Sequence, residues 1–201
     1  MCIRDRTDTS RTVSALVTNL FQDGQAAGSI TPQDLRDLVE TCQVKHGSIY
    51  LSTAGSTTIS GQANVTPSSL TNMVEVTTGG TFTLSTAPTA NEFDMNADGR
   101  LRYTGTPTTN VKFDCSAMIE INTSIVSKEV VMAVAKNGTI VTGAKMGGFT
   151  PSVTVNSVPI AVSGFASMAT NDYLSVFIGN VDSTDNITCR MCQLTAHSMV
   201  T

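Results

Sequence analysis

The residues whose types and spacing come closest to a recognisable chemistry are Asp94-Met95-Asn96-Ala97-Asp98-Gly99, which match the opening of a calcium loop, D-x-N-x-D-G. Oxygen ligands at the first, third and fifth positions, with glycine at the sixth, can wrap a hard cation. The twelfth position, however, is Gly105, where such a loop needs a bidentate Glu. The flanks read as strands, not helices. A tight turn explains the same letters, with Asp and Asn bonding their own backbone and Gly99 taking positive φ. The turn is the expectation, and no metal ligand is assigned.

The other candidate groups are weaker. Cys189 and Cys192 form one CxxC inside an alternating, strand-like run. Residues i and i+3 of a strand face opposite ways, so this pair is expected neither to bridge nor to chelate. With Cys2, Cys42 and Cys115 the thiols number five at irregular spacing, which reads as reduced cysteines in a reducing cytosol. Asp172, Asp182 and Asp185 gather around two turns, and His197 follows in the last strand. A catalytic site needs such groups to converge on a cleft, and the sequence shows no convergence. No G-x-S-x-G, H-E-x-x-H or phosphate-binding glycine loop occurs. N-x-S/T triplets at Asn64, Asn122, Asn137 and Asn186 are expected by chance in a Thr-rich chain. Tyr50, Tyr103 and Tyr173 are too dispersed for a base-stacking platform. The chain is therefore expected not to be an enzyme and to need no cofactor. A shallow glycan site leaves little trace in one sequence, so a sugar ligand stays open.

Composition narrows the class. Of 201 residues, 40% are hydrophobic but only 14% charged, against about 25% in an average soluble domain. Ser and Thr together number 51, and Gly 15. Such a chain suits pleated strands and short turns. A net charge of −4 argues against a generally basic nucleic-acid binder. The longest wholly apolar run, Val130 to Ala135, is far short of the roughly 20 residues of a membrane helix, so no membrane insertion is expected. The polar, mixed-charge start MCIRDRTDTSR does not read as a signal peptide, and its first six residues look unlike the rest of the chain.

Two helices are expected to open the chain. Val13, Leu16, Val17, Leu20 and Phe21 recur at helical spacing, with Thr9 or Ser10 as cap and Asp23-Gly24 as stop. In the second helix Thr31 is the N-cap, Pro32 the first helical residue and Asp34 the third, while Ile30 and Leu35 form a staple. Leu35, Leu38, Val39 and Cys42 are its buried stripe. Such a hairpin either packs on the domain behind it or seeks partner helices. Residues 1–45 carry 11 charges and residues 46–201 only 17. From His46 the period falls to two: strands are expected at 48–51, 70–76, 81–85, 92–95 and 100–104. A Ser/Thr/Gly-rich stretch to Ser69 reads as irregular. A long alternating strand over 111–121 follows, then 130–136, a hairpin through Asn137-Gly138 to 139–142, and further strands at 153–155, 158–168, 173–178 and 186–196. The sum is an antiparallel sandwich.

One ordered set of motifs resembles a known family. Gly99-Arg100-Leu101-Arg102-Tyr103-Thr104-Gly105 leads to Val111-Lys112-Phe113, then Met132-Ala133-Val134-Ala135-Lys136-Asn137-Gly138. Met168-Ala169-Thr170-Asn171-Asp172-Tyr173-Leu174-Ser175-Val176-Phe177 and Asn186-Ile187-Thr188 complete it. The order is similar to the jelly-roll domain of tailed-bacteriophage virion proteins, akin in topology to the trimeric tumour-necrosis-factor and complement heads. Residues 28–36, GSITPQDLR, resemble the helical segment that opens many phage fibre, spike and decoration proteins. The resemblance implies a mainly β jelly-roll sandwich over 91–201, with early strands or linker at 46–90 and a helical attachment segment at 1–45. It implies a structural virion subunit, a capsid decoration or short head fibre, assembled in the host bacterial cytoplasm as a homotrimer. The alternative is a tail fibre or spike adhesin. Expected partners are further copies of the chain, the major capsid or other virion proteins and, for the adhesin, a host surface glycan. Strands apolar on both faces suggest Val130, Met132, Val134, Tyr173, Val176 and Phe177 as the trimer contact. Val13, Leu16, Leu20, Leu35 and Leu38 are expected to line the attachment helices.

Overall fold

Strict alternation makes the stretch from Thr109 to Ile121 a strand with one dry and one wet face. In the computed structural model it is β7 (Thr109–Ile121), with buried and exposed residues alternating over most of its length. Residues 32–42, 45–51, 57–59, 70, 73–76, 82–84, 92–121, 127–150, 157–181 and 184–199 are described. The expected helix is α1 (Pro32–Cys42). The remaining strands are β1 (His46–Leu51), β2 (Thr57–Ile59), β3 (Val74–Glu75), β4 (Phe82–Leu84), β5 (Phe93–Met95), β6 (Leu101–Tyr103), β8 (Glu129–Lys136), β9 (Thr139–Phe149), β10 (Ser157–Met168), β11 (Tyr173–Asn180) and β12 (Ile187–Ser198). The first proposed helix, with Val13, Leu16 and Leu20, and the strand expected at 153–155 lie outside the described residues.

The strands pair antiparallel in two sheets. Sheet one runs β10-β7-β12-β1-β4, with β2 also on β12; sheet two runs β5-β6-β11-β8-β9, with β3 also on β11. The fold is thus the expected antiparallel jelly-roll sandwich with a short helix ahead of it. Strands from 46–90 and from 91–201 interleave in both sheets. Between the sheets lie Leu101, Tyr103, Phe113, Ile119, Met132, Leu174, Ile178 and Ile187, all fully buried. Tyr103 keeps its hydroxyl satisfied there, 2.8 Å from the Pro107 carbonyl and 3.1 Å from Glu92. At one side β9 packs along β10.

Three sequence expectations change. β2 lies in a stretch expected to be irregular; β-branched Thr57, Thr58 and Ile59 suit a strand, and β12 offers them an open edge. Val130, Met132, Val134 and Val176, expected at a subunit contact, instead point between the sheets into the chain's own core. The outer face of β8 is apolar for another reason. Val131 and Ala133 are buried there by Met73 and the half-buried Leu70, Ile140, Phe177 and Val181 of the same chain. Arg100 holds this cover in place: its guanidinium grips the β3 residue Glu75 at 2.7 and 2.8 Å and lies over the Tyr173 ring. Finally, Leu35 and Val39 of α1 are not buried; they stand 52% and 59% exposed.

The turns follow local chemistry. Asn137 (φ 49°) and Gly138 (φ 76°) make the left-handed pair that joins β8 to β9. Asp172 ties this turn to the one before β11, accepting from Lys136 at 2.8 Å, Asn137 at 2.6 Å and the Ala169 N–H at 2.8 Å. Burial opposes its charge, but these donors prevail and hold the carboxyl below the ordinary aspartate value. At 96–99 the chain reverses with Gly99 at φ 76°. Asn96 Oδ1 accepts from the Asp98 and Arg100 N–H groups, and Asp94 is gripped by Arg102 at 2.9 and 2.6 Å. The D-x-N-x-D-G oxygens therefore have partners within the protein.

Three outcomes follow. A Cβ at Gly47 would sit 2.4 Å from the Phe93 Cβ, so Gly47→Ala should destabilise by about 1–3 kcal/mol in denaturant unfolding. Asp94→Ala should leave the Tm nearly unchanged, since the Arg102 pair is solvent-screened, and millimolar calcium should not shift the Tm of wild type or variant. Because the Asp172 pKa is depressed by folding, its contribution is present at neutral pH and fades as pH falls through the folded value. Asp172→Asn should therefore lower Tm at pH 7, with the difference from wild type shrinking below about pH 4.

Candidate interaction face

The wet residues of sheet one converge on its outer face in successive rows set by strand register. Pro159, Met118 and Met191 form the first row; Ala161, Ser116, Gln193 and Tyr50 the second. Ser163, Asp114, Thr195 and Ser48 form the third, and Phe165, Lys112, His197 and His46 the fourth. The face thus grades from apolar at one end to polar and basic at the other. Short side chains at Ser116 and Ala161 leave a hollow of about 500 Å³ bounded by Tyr50, Met118, Pro159 and Met191. A second hollow of about 390 Å³ continues it over Asp114, Ser116, Ser163 and Thr195. Among monomer surfaces, large apolar groups collected in one place mark a contact site. Here Met191 is 65% exposed and lies beside Met118, Pro159 and Tyr50.

A β-bulge shapes the apolar end. The β7–β12 register shifts between Cys189 and Met191, placing Arg190 as the extra residue. Arg190 turns to Glu120, whose carboxyl the pairing holds below its ordinary pKa, and Met191 is lifted onto the outer face. The same shift corrects the expectation for the CxxC. Cys189 opposes Ile119 and Cys192 opposes Ala117, both inward positions, so the two thiols face the core on the same side. Cys115 joins them and also reaches Met132, with 4.0 Å between the sulfurs. The contact with Cys192 and burial push the Cys189 thiol far up, and the contact with Cys115 does the same to Cys192. These are protonated core thiols, free of disulfides.

The polar end is internally bonded. Ser48 and Thr195 hydroxyls meet at 3.1 Å, Gln193 donates to Ser48 at 3.3 Å, and Lys112 pairs with Asp114 at 3.1 Å. Such a face offers hydroxyls, an amide and one carboxylate, but no nucleophile joined to a base. Among the described residues no group of three or more His, Cys, Asp or Glu is placed to hold a metal. Of the residues named from the sequence, Tyr173 and Phe177 lie on the outer face of sheet two, apart from this surface; Asp172 serves a turn; Tyr50, Lys112 and His197 join the face. Met118, Pro159 and Met191 were missed. Their signal was the alternation itself, which gives each strand a wet face on which a large apolar residue is out of place.

A second exposed apolar feature lies at the side of the sandwich. β9 ends the order of sheet two and β10 that of sheet one, and the two pack along each other. On β9 Met146 and Phe149 are exposed, the latter by 67%. Gly147 and Gly148 between them leave the edge without bulk. Unpaired edge strands with exposed apolar residues invite another chain.

No protein-family model matches the sequence, and neither does any curated protein. Among solved structures the chain is similar to the Eiger TNF of S. frugiperda, with a TM-score of 0.50 and 10% identity over 78% of this chain and 92% of that one. It also matches murine APRIL, crystallised at pH 5.0, with a TM-score of 0.46 and 12% identity over 77% of this chain and 100% of the other. The likeness to Eiger at this identity establishes a fold, the TNF-like jelly roll.

Proposed function

We propose that the chain is a non-catalytic structural subunit that associates as a homotrimer through the outer face of sheet one. The observation that carries this is the apolar row Pro159, Met118 and Met191 with Tyr50, matched by an apolar edge at Met146 and Phe149. Face and edge are different surfaces of one molecule. Joining the edge of one copy to the face of the next is a heterologous contact, which closes into a ring when the rotation permits. Threefold closure is the arrangement that the family resemblance implies. A stable contact of this kind buries about 1,200–2,000 Å² in all, within reach of a six-stranded face.

The particle reading rests on the sequence resemblance: a subunit on a bacteriophage head, as decoration or short fibre, with residues 1–45 as the attachment module. The exposed Leu35 and Val39 support the attachment role, since they form an apolar pair left open on α1. A tail adhesin is the second reading, favoured by the polar hollow over Asp114, Ser116, Ser163 and Thr195, whose groups suit sugar hydroxyls. The two readings use one surface in opposite ways, because a face covered by a neighbouring copy cannot hold a glycan.

Light scattering at micromolar concentration should give three times the chain mass of 21.1 kDa. Met191→Lys should lower that mass while leaving circular dichroism unchanged; a wild-type mass at the single-chain value overturns the trimer. Deleting residues 1–42, which spares the Lys45–Ser198 bonds, should leave a folded head that no longer joins the particle. Normal decoration by that shortened chain overturns the attachment role.

A further inference from the structure

We propose that His46 and His197 form a cross-strand clamp for one divalent transition-metal ion of the nickel, copper or zinc class. The two residues stand directly opposite each other on β1 and β12. Ser198 N–H donates to Lys45 O at 2.8 Å and Lys45 N–H to Ser198 Oγ at 3.0 Å, so the bonded pair is Lys45–Ser198. His46 and His197 therefore occupy the neighbouring non-hydrogen-bonded position, where facing side chains approach most closely. Their rings already lie side by side, with centroids 6.1 Å apart and planes 27° from parallel. Among the described residues no hydrogen bond engages either ring. Among the described residues all four ring nitrogens are unengaged, and rotation of the two side chains brings one from each within two metal–nitrogen bonds of about 2.0–2.1 Å.

The donor set decides the ion. Imidazole nitrogen favours nickel, copper and zinc over calcium and magnesium, which take oxygen. With no third side chain of the chelating types grouped here, water completes the coordination. The charges facing the pair set its strength. Lys112 on β7 is opposite His197 and opposes a cation, while Asp114 pairs with Lys112 and offsets part of that opposition. Phe165 closes the row beyond Lys112. A bound ion would tie β1, the first strand of sheet one, to β12, the last. It binds only where the two strands are paired, so it stabilises the folded state by mass action. The clamp uses residues of one chain only and lies at the polar end of sheet one's outer face, the end opposite the apolar row that carries the assembly reading.

The test is titration of the full chain with Ni²⁺ and Zn²⁺ near pH 7.5, read by calorimetry and by thermal melting. One ion per chain should bind, whatever the oligomeric mass. At a concentration roughly 100 times Kd, Tm should rise by about 5–10 °C. His46→Ala and His197→Ala should each remove the rise and the one-per-chain heat, and Lys112→Ala should tighten binding. If either alanine variant fails to fold, His46→Gln and His197→Gln, which keep polar bulk without imidazole, serve in its place. No binding by wild type at about 1 mM ion, or a Tm rise that survives loss of either histidine, overturns the clamp.

Discussion

The pairing of β12 with its neighbours is the constraint on which the rest of the structure depends. This last strand lies inside sheet one, bonded to β7 on one side and to β1 and β2 on the other. Its long ladder with β7 sets which residues of both strands face the core. Sheet one is therefore incomplete until the end of the described chain has joined it. Such long-range pairing makes closure entropically demanding and folding correspondingly slow. The bulge at Arg190 is the one break in that ladder, and it does two things at once. It turns Cys189 and Cys192 to the same side of the sheet, and it puts Met191 on the exposed outer face of sheet one.

The two sheets manage their outer surfaces differently. Sheet two covers its own apolar outer strand with the segment around Met73 and β3, held by the Arg100–Glu75 pair. Sheet one has no such cover among the described residues, and its apolar end lies open beside a hollow. The low charge content of the chain has the same consequence. With few Lys, Arg, Asp or Glu to spread over the surface, the charges that exist concentrate on turns and pairs such as Asp172–Lys136 and Arg102–Asp94. Broad strand faces are left to Ser, Thr and apolar groups. The fold itself is neutral on function, since one sandwich architecture hosts many roles.

The local features were legible in the sequence because each is determined within a few residues. Alternation marked β7, Asn137-Gly138 marked the β8–β9 hairpin, and Asp98-Gly99 marked a reversal at positive φ. Thr31, Pro32 and Asp34 marked the start of α1. Backbone sterics and hydrogen bonding over a single turn decide these features, and no distant residue is needed to read them. The tertiary structure alone decided which apolar residues are interior and which stay exposed. Val130, Met132, Val134 and Val176 carry the same composition as a subunit contact, yet they pack between the sheets, because the second apolar face of β8 is covered from Leu70 and Met73. The inward turn of both CxxC thiols depends on one residue of register against β7. The facing of His46 and His197 depends on pairing the first and last strands of sheet one. Register between distant strands is a cooperative property of the whole core, so it leaves no signature in either strand alone.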